Sequence, residues 1–239
     1  MGTVAVTGIG DLGAGVLRIL AQMPGVSRLY ALDVDETRLM GEVADAAAVA
    51  SYGEGGTRID PIVVDMRNED RLADALARVQ PDVVVNTATL QSWWVITQLP
   101  QAVWRRLEEQ ARFGPWLPMH LTLALKLMRA LRAAEVGAAV VNVAFPDAVN
   151  AVLAGLGLAP TCGAGNSDLL RAGIRSAAAR RLNVPVREVG VYLGPPLPRG
   201  VLLDGTRREG VADRSPILFA GDGWGCRCNQ RAGGRVLVG

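Results

Sequence analysis

The chain has 239 residues, half of them hydrophobic, and a net charge of +2; this excludes nucleic acid as a partner and fits one large domain, or one plus a partial second. A chain this long buries about 70% of the surface it exposes when unfolded. One histidine and three cysteines (Cys162, Cys226 and Cys228) supply neither a zinc site nor a disulfide framework, so no metal is expected.

Val4-Ala5-Val6-Thr7 reads as a buried strand and runs straight into Gly8-Ile9-Gly10-Asp11-Leu12-Gly13. Leu12, Val16, Leu17, Ile19 and Leu20 continue at helical spacing. Strand, G-x-G-x-x-G and helix in this order form the phosphate-binding turn of a dinucleotide fold. Gly8 permits the tight turn, Gly10 lets the backbone approach a pyrophosphate, and Gly13 lets the helix pack on the strand. Asp11 and Leu12 open that helix, whose free N–H groups and partial positive charge favour an anion. A second strand, 27–32, ends at Asp33, roughly twenty residues past the last glycine, where an acid accepts hydrogen bonds from ribose hydroxyls and repels a 2′-phosphate. NAD rather than NADP is therefore expected, with Arg38 near enough to complicate the distinction. Asp33 could instead cap the helix beginning at Glu36, but Asp35 fills that role equally well.

Strand and helix signals then alternate, as a parallel sheet with crossover helices requires. Helix is expected over 36–50, strand over 59–64, helix over 69–79 and buried strand over 82–87. Residues 88–118 are less regular and hold Trp93, Trp94, Trp104 and Trp116, a composition that suits core or a subunit interface. Helix follows over 121–134, strand over 138–143, helix over 146–156, a longer helix over 166–182, and strand over 188–193. The longest apolar stretch, near 119–131, is broken by Lys126 and Arg129, so no membrane span is expected. No leader precedes the first strand, and a soluble, cytoplasmic protein is the expectation. From about Pro195 no periodicity persists, and Gly, Arg and Pro dominate. Lys126 is the only lysine, a bias that suggests high-GC coding, in which a shifted frame stays open; a frameshifted or otherwise altered C-terminus is the expectation for this tail.

These residues resemble the lactate/malate dehydrogenase family over roughly 4–90 and 138–193. The match rests on the glycine turn, Leu32-Asp33-Val34-Asp35-Glu36, Leu39-Met40-Gly41-Glu42-Val43-Ala44-Asp45, the strand Asp82–Ala88, the strand–Pro–helix segment 140–147, and Gly163-Ala164-Gly165-Asn166-Ser167-Asp168-Leu169-Leu170-Arg171. The resemblance implies a doubly wound parallel sheet of the Rossmann type, with Thr87 and Ala88 beside the nicotinamide ribose. It also implies an NAD-dependent oxidoreductase that moves hydride between nicotinamide and a small 2-hydroxy or 2-oxo acid. Asp168 and Arg171 stand at i and i+3 on one helix face, and a guanidinium grips a carboxylate through two bonds. By resemblance Arg171 binds the substrate and Asp168 supports proton transfer. Read from the residues alone, the two could equally be a surface ion pair.

The departures are specific. The family's catalytic histidine follows the strand 189–193, where this chain reads Gly194-Pro195-Pro196-Leu197-Pro198; its one histidine is His120, which suits packing or capping better than base catalysis. Phe145 stands where the family has Asn before Pro. Ala88-Thr89-Leu90-Gln91-Ser92-Trp93 replaces the Arg-bearing loop, leaving Gln91 as the candidate substrate contact, with Arg105 or Arg106 further along. The expected organisation is a dinucleotide-binding domain over 1–145, a partial substrate region over 146–194 and an altered tail over 195–239, in a homo-oligomer. Two alternatives stay open: a dinucleotide-binding protein without catalysis, and a saccharopine-dehydrogenase-like oxidoreductase. A short-chain dehydrogenase does not fit, since none of Tyr30, Tyr52 and Tyr192 has Lys four residues on.

Overall fold

The computed structural model describes residues 2–52, 56–110, 114–191, 228–229 and 236–238, with backbone alone at 108, 166–171, 190–191 and in the last two segments. Two compact units divide at Gly165/Asn166. The first holds β1 (Gly2–Thr7), α1 (Asp11–Leu20), β2 (Val26–Asp33), α2 (Glu36–Ser51), β3 (Arg58–Val63), α3 (Glu69–Val79), β4 (Val83–Asn86), α4 (Trp93–Thr97), α5 (Gln101–Gln110), α6 (Leu117–Ala133), β5 (Ala139–Asn142), α7 (Pro146–Gly155) and β6 (Cys162–Gly163). Its six strands lie in the order β3-β2-β1-β4-β5-β6, and every neighbouring pair is parallel. The chain winds outward from β1 to β3, then crosses back to β4 and winds the other way. This is the doubly wound α/β sheet of the Rossmann fold, as expected from the alternating signals.

Side-chain alternation along the strands builds a core on each face. Val4 and Val6 of β1, Leu29 and Ala31 of β2 and Val85 of β4 pack with Leu17 of α1 and Leu39 and Ala46 of α2. Ala5, Leu32, Val84 and Val140 face the opposite way, onto Leu72 and Leu76 of α3 and Leu123, Leu127 and Leu131 of α6. Burying one such leucine contributes about 1.5–3 kcal/mol. Local chemistry sets the ends. Asp35 Oδ1 accepts from Arg38 N–H at 3.0 Å and Asn68 Oδ1 from Arg71 N–H at 3.1 Å, N-caps worth about 1 kcal/mol each. Gln80, at φ 46°, ends α3 in the left-handed conformation, and Pro81 prevents continuation. Pro61 sits in β3, at the sheet's edge, where its missing N–H is tolerated.

Three boundaries differ from the sequence expectation for clear reasons. Helix α6 starts at Leu117 rather than 121, because Pro118 falls in its first turn, where a proline loses no hydrogen bond. The irregular stretch after β4 contains α4 and the amphipathic α5. The strand expected over 188–193 begins with a 3₁₀ turn, Val186–Glu188, leaving β7 at Val189–Val191; residues 192 and 193 lie outside the described residues.

The second unit holds α8 (Asn166–Leu182), that 3₁₀ turn, β7, β8 (Cys228–Asn229) and β9 (Val236–Val238). Ala178, Ala179 and Val189 form its small core with Ile174, Leu182 and Val184, and Arg175 Nε donates to the Val186 carbonyl at 2.8 Å. Strand β9 pairs parallel with β7 and antiparallel with β8. The rest of the tail expected to be altered, 195–239, falls outside the described residues. Among the described residues no helix is long and apolar enough to cross a membrane.

Candidate functional site

The winding of the sheet reverses between β1 and β4, and in open sheets of this kind ligands bind outside the carboxyl ends of the strands at such a switch point. The glycine turn lies at this edge. Gly8 N–H donates to the Leu32 carbonyl at 2.8 Å, and its φ of +84° suits glycine alone. A Cβ on Gly8 would come within 2.6 Å of Ala88 N, and one on Gly13 within 2.7 Å of Thr87 Oγ1 and closer still to the Gly8 carbonyl oxygen. Gly8 and Gly13 are thus places where β1, α1 and the end of β4 touch through backbone. Gly10 differs. It is the N-cap of α1 with an ordinary φ of −77°, and a Cβ there would meet nothing within 4 Å. No side chain caps the helix, so its leading N–H groups remain available to an anion.

Asp33 closes the turn from β2. Its Oδ2 accepts from Ile9 N–H at 2.5 Å and its Oδ1 from Asp35 N–H at 2.9 Å. Capping of α2 falls to Asp35, which separates the two roles the sequence had left open. Across the same edge, Arg38 Nη2 pairs with Asp11 Oδ1 at 2.5 Å, joining α2 to the first residue of α1. Leu12 is exposed. Thr87 Oγ1 lies 2.6 Å from the Gly8 carbonyl oxygen and 3.0 Å from that of Thr7, within donating distance of either. Ala88 is buried, and its N–H donates to Asn86 Oδ1 at 3.3 Å. Gln91 is half-buried in the loop that follows, its N–H donating to Thr89 Oγ1 at 3.3 Å. The first unit thus gathers Gly8, Gly10, Asp11, Leu12, Gly13, Asp33, Thr87 and Ala88 at the carboxyl ends of β1, β2 and β4. Asp168 and Arg171 belong to α8 of the second unit, and their side chains lie outside the described residues.

One feature of this edge was not foreseen, a buried polar ladder. Thr7, Asn86 and Asn142 are register partners in β1, β4 and β5, and each is at most 1% exposed. Thr7 Oγ1 donates to Asn86 Oδ1 at 2.9 Å, Asn86 Nδ2 to Asn142 Oδ1 at 2.9 Å, and Asn142 Nδ2 to Asn150 Oδ1 at 2.7 Å. Each of these residues closes an apolar strand with one small polar side chain (AVT, VVVN, AVVN), a repeat visible in the sequence. The ladder satisfies itself and fixes these strand ends. Gly163 and Gly165 continue the packing, since a Cβ on either would fall within 2.8 Å of the Pro146 ring.

His120 is packed, as the sequence reading expected. It is 9% exposed, its ring centroid lies 5.6 Å from that of Phe145, and its enclosed Nδ1 has no hydrogen-bond partner among the described residues. Burial holds its pKa below the usual imidazole value. Phe145 itself is left-handed, at φ 48° and ψ 55°, directly before Pro146, a combination that sterics disfavour.

No family model and no curated protein matches the sequence. Solved structures do match the fold. The malate dehydrogenase of Picrophilus torridus, in its apo form, superposes with a TM-score of 0.57 at 22% identity, over 78% of this chain and 52% of that one. A lactate dehydrogenase from a Medee basin deep-sea metagenome library gives 0.56 at 17% identity, with the same coverage. The lactate dehydrogenase of Eimeria maxima, solved with NADH and oxamate, gives 0.54 at 18% identity, over 78% of this chain and 50% of that one. The chain spans about half the length of these proteins and has their fold over the matched part.

Proposed function

We propose that this chain binds NAD(H) across the carboxyl edge of β1 and β4 and, in the cytoplasm, transfers hydride to or from a small 2-hydroxy or 2-oxo acid. The observation that carries the proposal is Gly10. Its neighbours Gly8 and Gly13 are explained by packing, whereas Gly10 faces open space at an uncapped helix start, which suits the backbone for close approach of a pyrophosphate. Asp33 keeps lone pairs for ribose hydroxyls after its two backbone bonds, and its charge opposes a 2′-phosphate. Arg38, the nearby cation, is engaged by Asp11, which also favours NAD over NADP. When bound, the nicotinamide supplies the hydride chemistry. Thr87 and Ala88 would border its ribose. Arg171 would hold the substrate carboxylate, Gln91 would make a second substrate contact, and Asp168 would support proton transfer; these roles rest on the family resemblance.

One observation favours a second reading, a dinucleotide-binding protein without turnover. The chain's one imidazole is enclosed against Phe145, and losing positioned acid–base catalysis costs about 10²–10⁴ in rate. Thermal unfolding of the full chain with NAD⁺, NADH, NADP⁺ and NADPH tests binding. NAD(H) at a hundred times its Kd stabilises by about 2.7 kcal/mol, a Tm rise of roughly 5–10 °C at about 2–4 °C per kcal/mol. NADP(H) is expected to give much less in wild type, and Asp33→Asn to narrow the difference. No response to any of the four overturns both readings. Turnover of hydroxy acids then separates the first from the second.

A further inference from the structure

Between the edge strand β3 and helix α3 the first unit has a cavity of about 340 Å³, the size of a small ligand pocket. Its floor is apolar, made by Val34, Ile62, Val63 and Ala75, and Val34 and Val63 are 59% and 49% exposed. Its rim is charged. Arg71, Asp74 and Arg78 of α3 line it at i, i+3 and i+7, the spacing of one helix face. Asp33 does not line it, although Val34 follows Asp33 directly and Val63 is its register partner. The Asp33 carboxylate turns instead to Ile9 N–H of the glycine turn, so the cavity is a second site.

The neighbouring arginines are neutralised. Arg28 and Arg58 share Asp60, and Arg38 pairs with Asp11. Arg67 holds Asp65, the other acid of the cavity wall, at 2.8 Å. Arg71 and Arg78 differ: neither forms an ion pair among the described residues. Arg78 Nε donates to the Asp74 carbonyl at 3.3 Å, which steadies the guanidinium and leaves its other N–H donors for a ligand.

Two guanidiniums beside an apolar floor recognise an anion with an apolar body. The planar forks match a carboxylate or a phosphate, and the floor takes hydrocarbon out of water. Charge decides between the two anions. With Asp65 cancelled by Arg67, the two arginines and Asp74 leave one positive charge at the rim. That balance suits a monocarboxylate, whereas the Asp74 carboxylate repels the second negative charge of a phosphate dianion.

We propose that this cavity binds a small monocarboxylate with an apolar chain, its carboxylate held by Arg71 and Arg78 and its chain laid on Val34, Ile62 and Val63. The inference does not rest on the proposed function. Titration calorimetry of the full chain with hexanoate, hexan-1-ol and inorganic phosphate tests it, on wild type and on an Arg71→Gln/Arg78→Gln double variant. Both arginines are exposed, so the variant is expected to fold, which circular dichroism checks. Hexanoate is expected to bind wild type at one saturable site. Hexan-1-ol lacks the charge and phosphate the apolar body, and each is expected to bind at least about tenfold more weakly. The double variant is expected to lose at least about tenfold in hexanoate affinity, because its charge-assisted bonds are gone. Excess NADH is expected to leave hexanoate binding unchanged. Absence of saturable hexanoate binding overturns the proposal. So does equal binding of hexan-1-ol, tighter binding of phosphate, undiminished affinity in the folded double variant, or displacement of hexanoate by NADH.

Discussion

A methyl group added at each glycine of the turn separates packing from binding. At Gly13 the new Cβ would lie 2.7 Å from Thr87 Oγ1 and nearer still to the Gly8 carbonyl oxygen. A backbone oxygen cannot rotate away, so α1 must shift off β1. Overpacking of this kind costs about 1–3 kcal/mol, and a clash against backbone belongs at the upper end. Gly8→Ala adds a left-handed penalty of about 1–2 kcal/mol to a clash with Ala88, because its φ is +84°. At Gly10 neither term applies: φ is −77° and nothing lies within 4 Å. Only the poorer N-cap propensity of alanine remains, about 0.5 kcal/mol. At roughly 2–4 °C per kcal/mol, Gly13→Ala lowers Tm by about 6–12 °C and Gly10→Ala by about 1–2 °C. The order reverses for ligand. On the proposed function the Gly10→Ala methyl stands where the pyrophosphate would approach, so the rise in Tm with NADH is expected to disappear in that nearly wild-type-stable variant. Differential scanning calorimetry with and without NADH reads both quantities. If Gly10→Ala unfolds as early as Gly13→Ala, or keeps the full NADH response, the assignment of Gly10 to binding is wrong.

Two further outcomes follow from the buried polar groups of the same edge. His120 has a pKa lowered by burial, so as pH falls through the ordinary imidazole value, about 6.5, the unfolded chain takes up a proton that the folded chain refuses. Stability present above that pH is therefore lost below it, by at most about 1.4 kcal/mol per pH unit; urea titrations from pH 7.5 to 5 should show the slope in wild type and a flatter profile in His120→Phe. Asn142→Ala removes the partner of Asn86 Nδ2, of Asn150 Oδ1 and of the Ala144 N–H. An unsatisfied buried group costs about 1–3 kcal/mol, so a loss of about 2–4 kcal/mol in urea unfolding is expected, and a change under 1 kcal/mol would show that the ladder contributes little.

Much of the fold was legible because its signals are local. Helices α3 and α8 have the ends expected from sequence, with Leu72, Leu76 and Val79 setting the apolar spacing of the first. Pro118 misled, because a proline reads as a break although it is harmless in a first turn. The ladder of Thr7, Asn86 and Asn142 escaped notice for a different reason. Each residue looks like an ordinary strand end, and only the sheet order puts the three side by side. The exposure of Trp93 and Trp94 was half-legible, since the alternatives of core and interface differ only in what lies outside the segment.

Asp33 shows why a fingerprint residue is weak proof of a ligand when taken alone. Its place after β2 is demanded by the fold itself, because its carboxylate holds Ile9 N–H and Asp35 N–H and so fixes the glycine turn against the end of the neighbouring strand. Gly8, Gly13 and Thr87 are likewise accounted for by contacts within the chain. A protein that had lost its ligand would still need all four to fold. Gly10 is the exception: it has no steric neighbour and an ordinary φ, and a capping serine or aspartate would stabilise α1 better by roughly a few tenths of a kcal/mol. Gly15 and Gly41 have equally open surroundings but lie inside helices; on the proposed function, only Gly10 combines open space with a helix start that has no capping side chain, where a ligand would approach the backbone. The weight of the dinucleotide reading therefore rests on that one residue rather than on the motif as a whole.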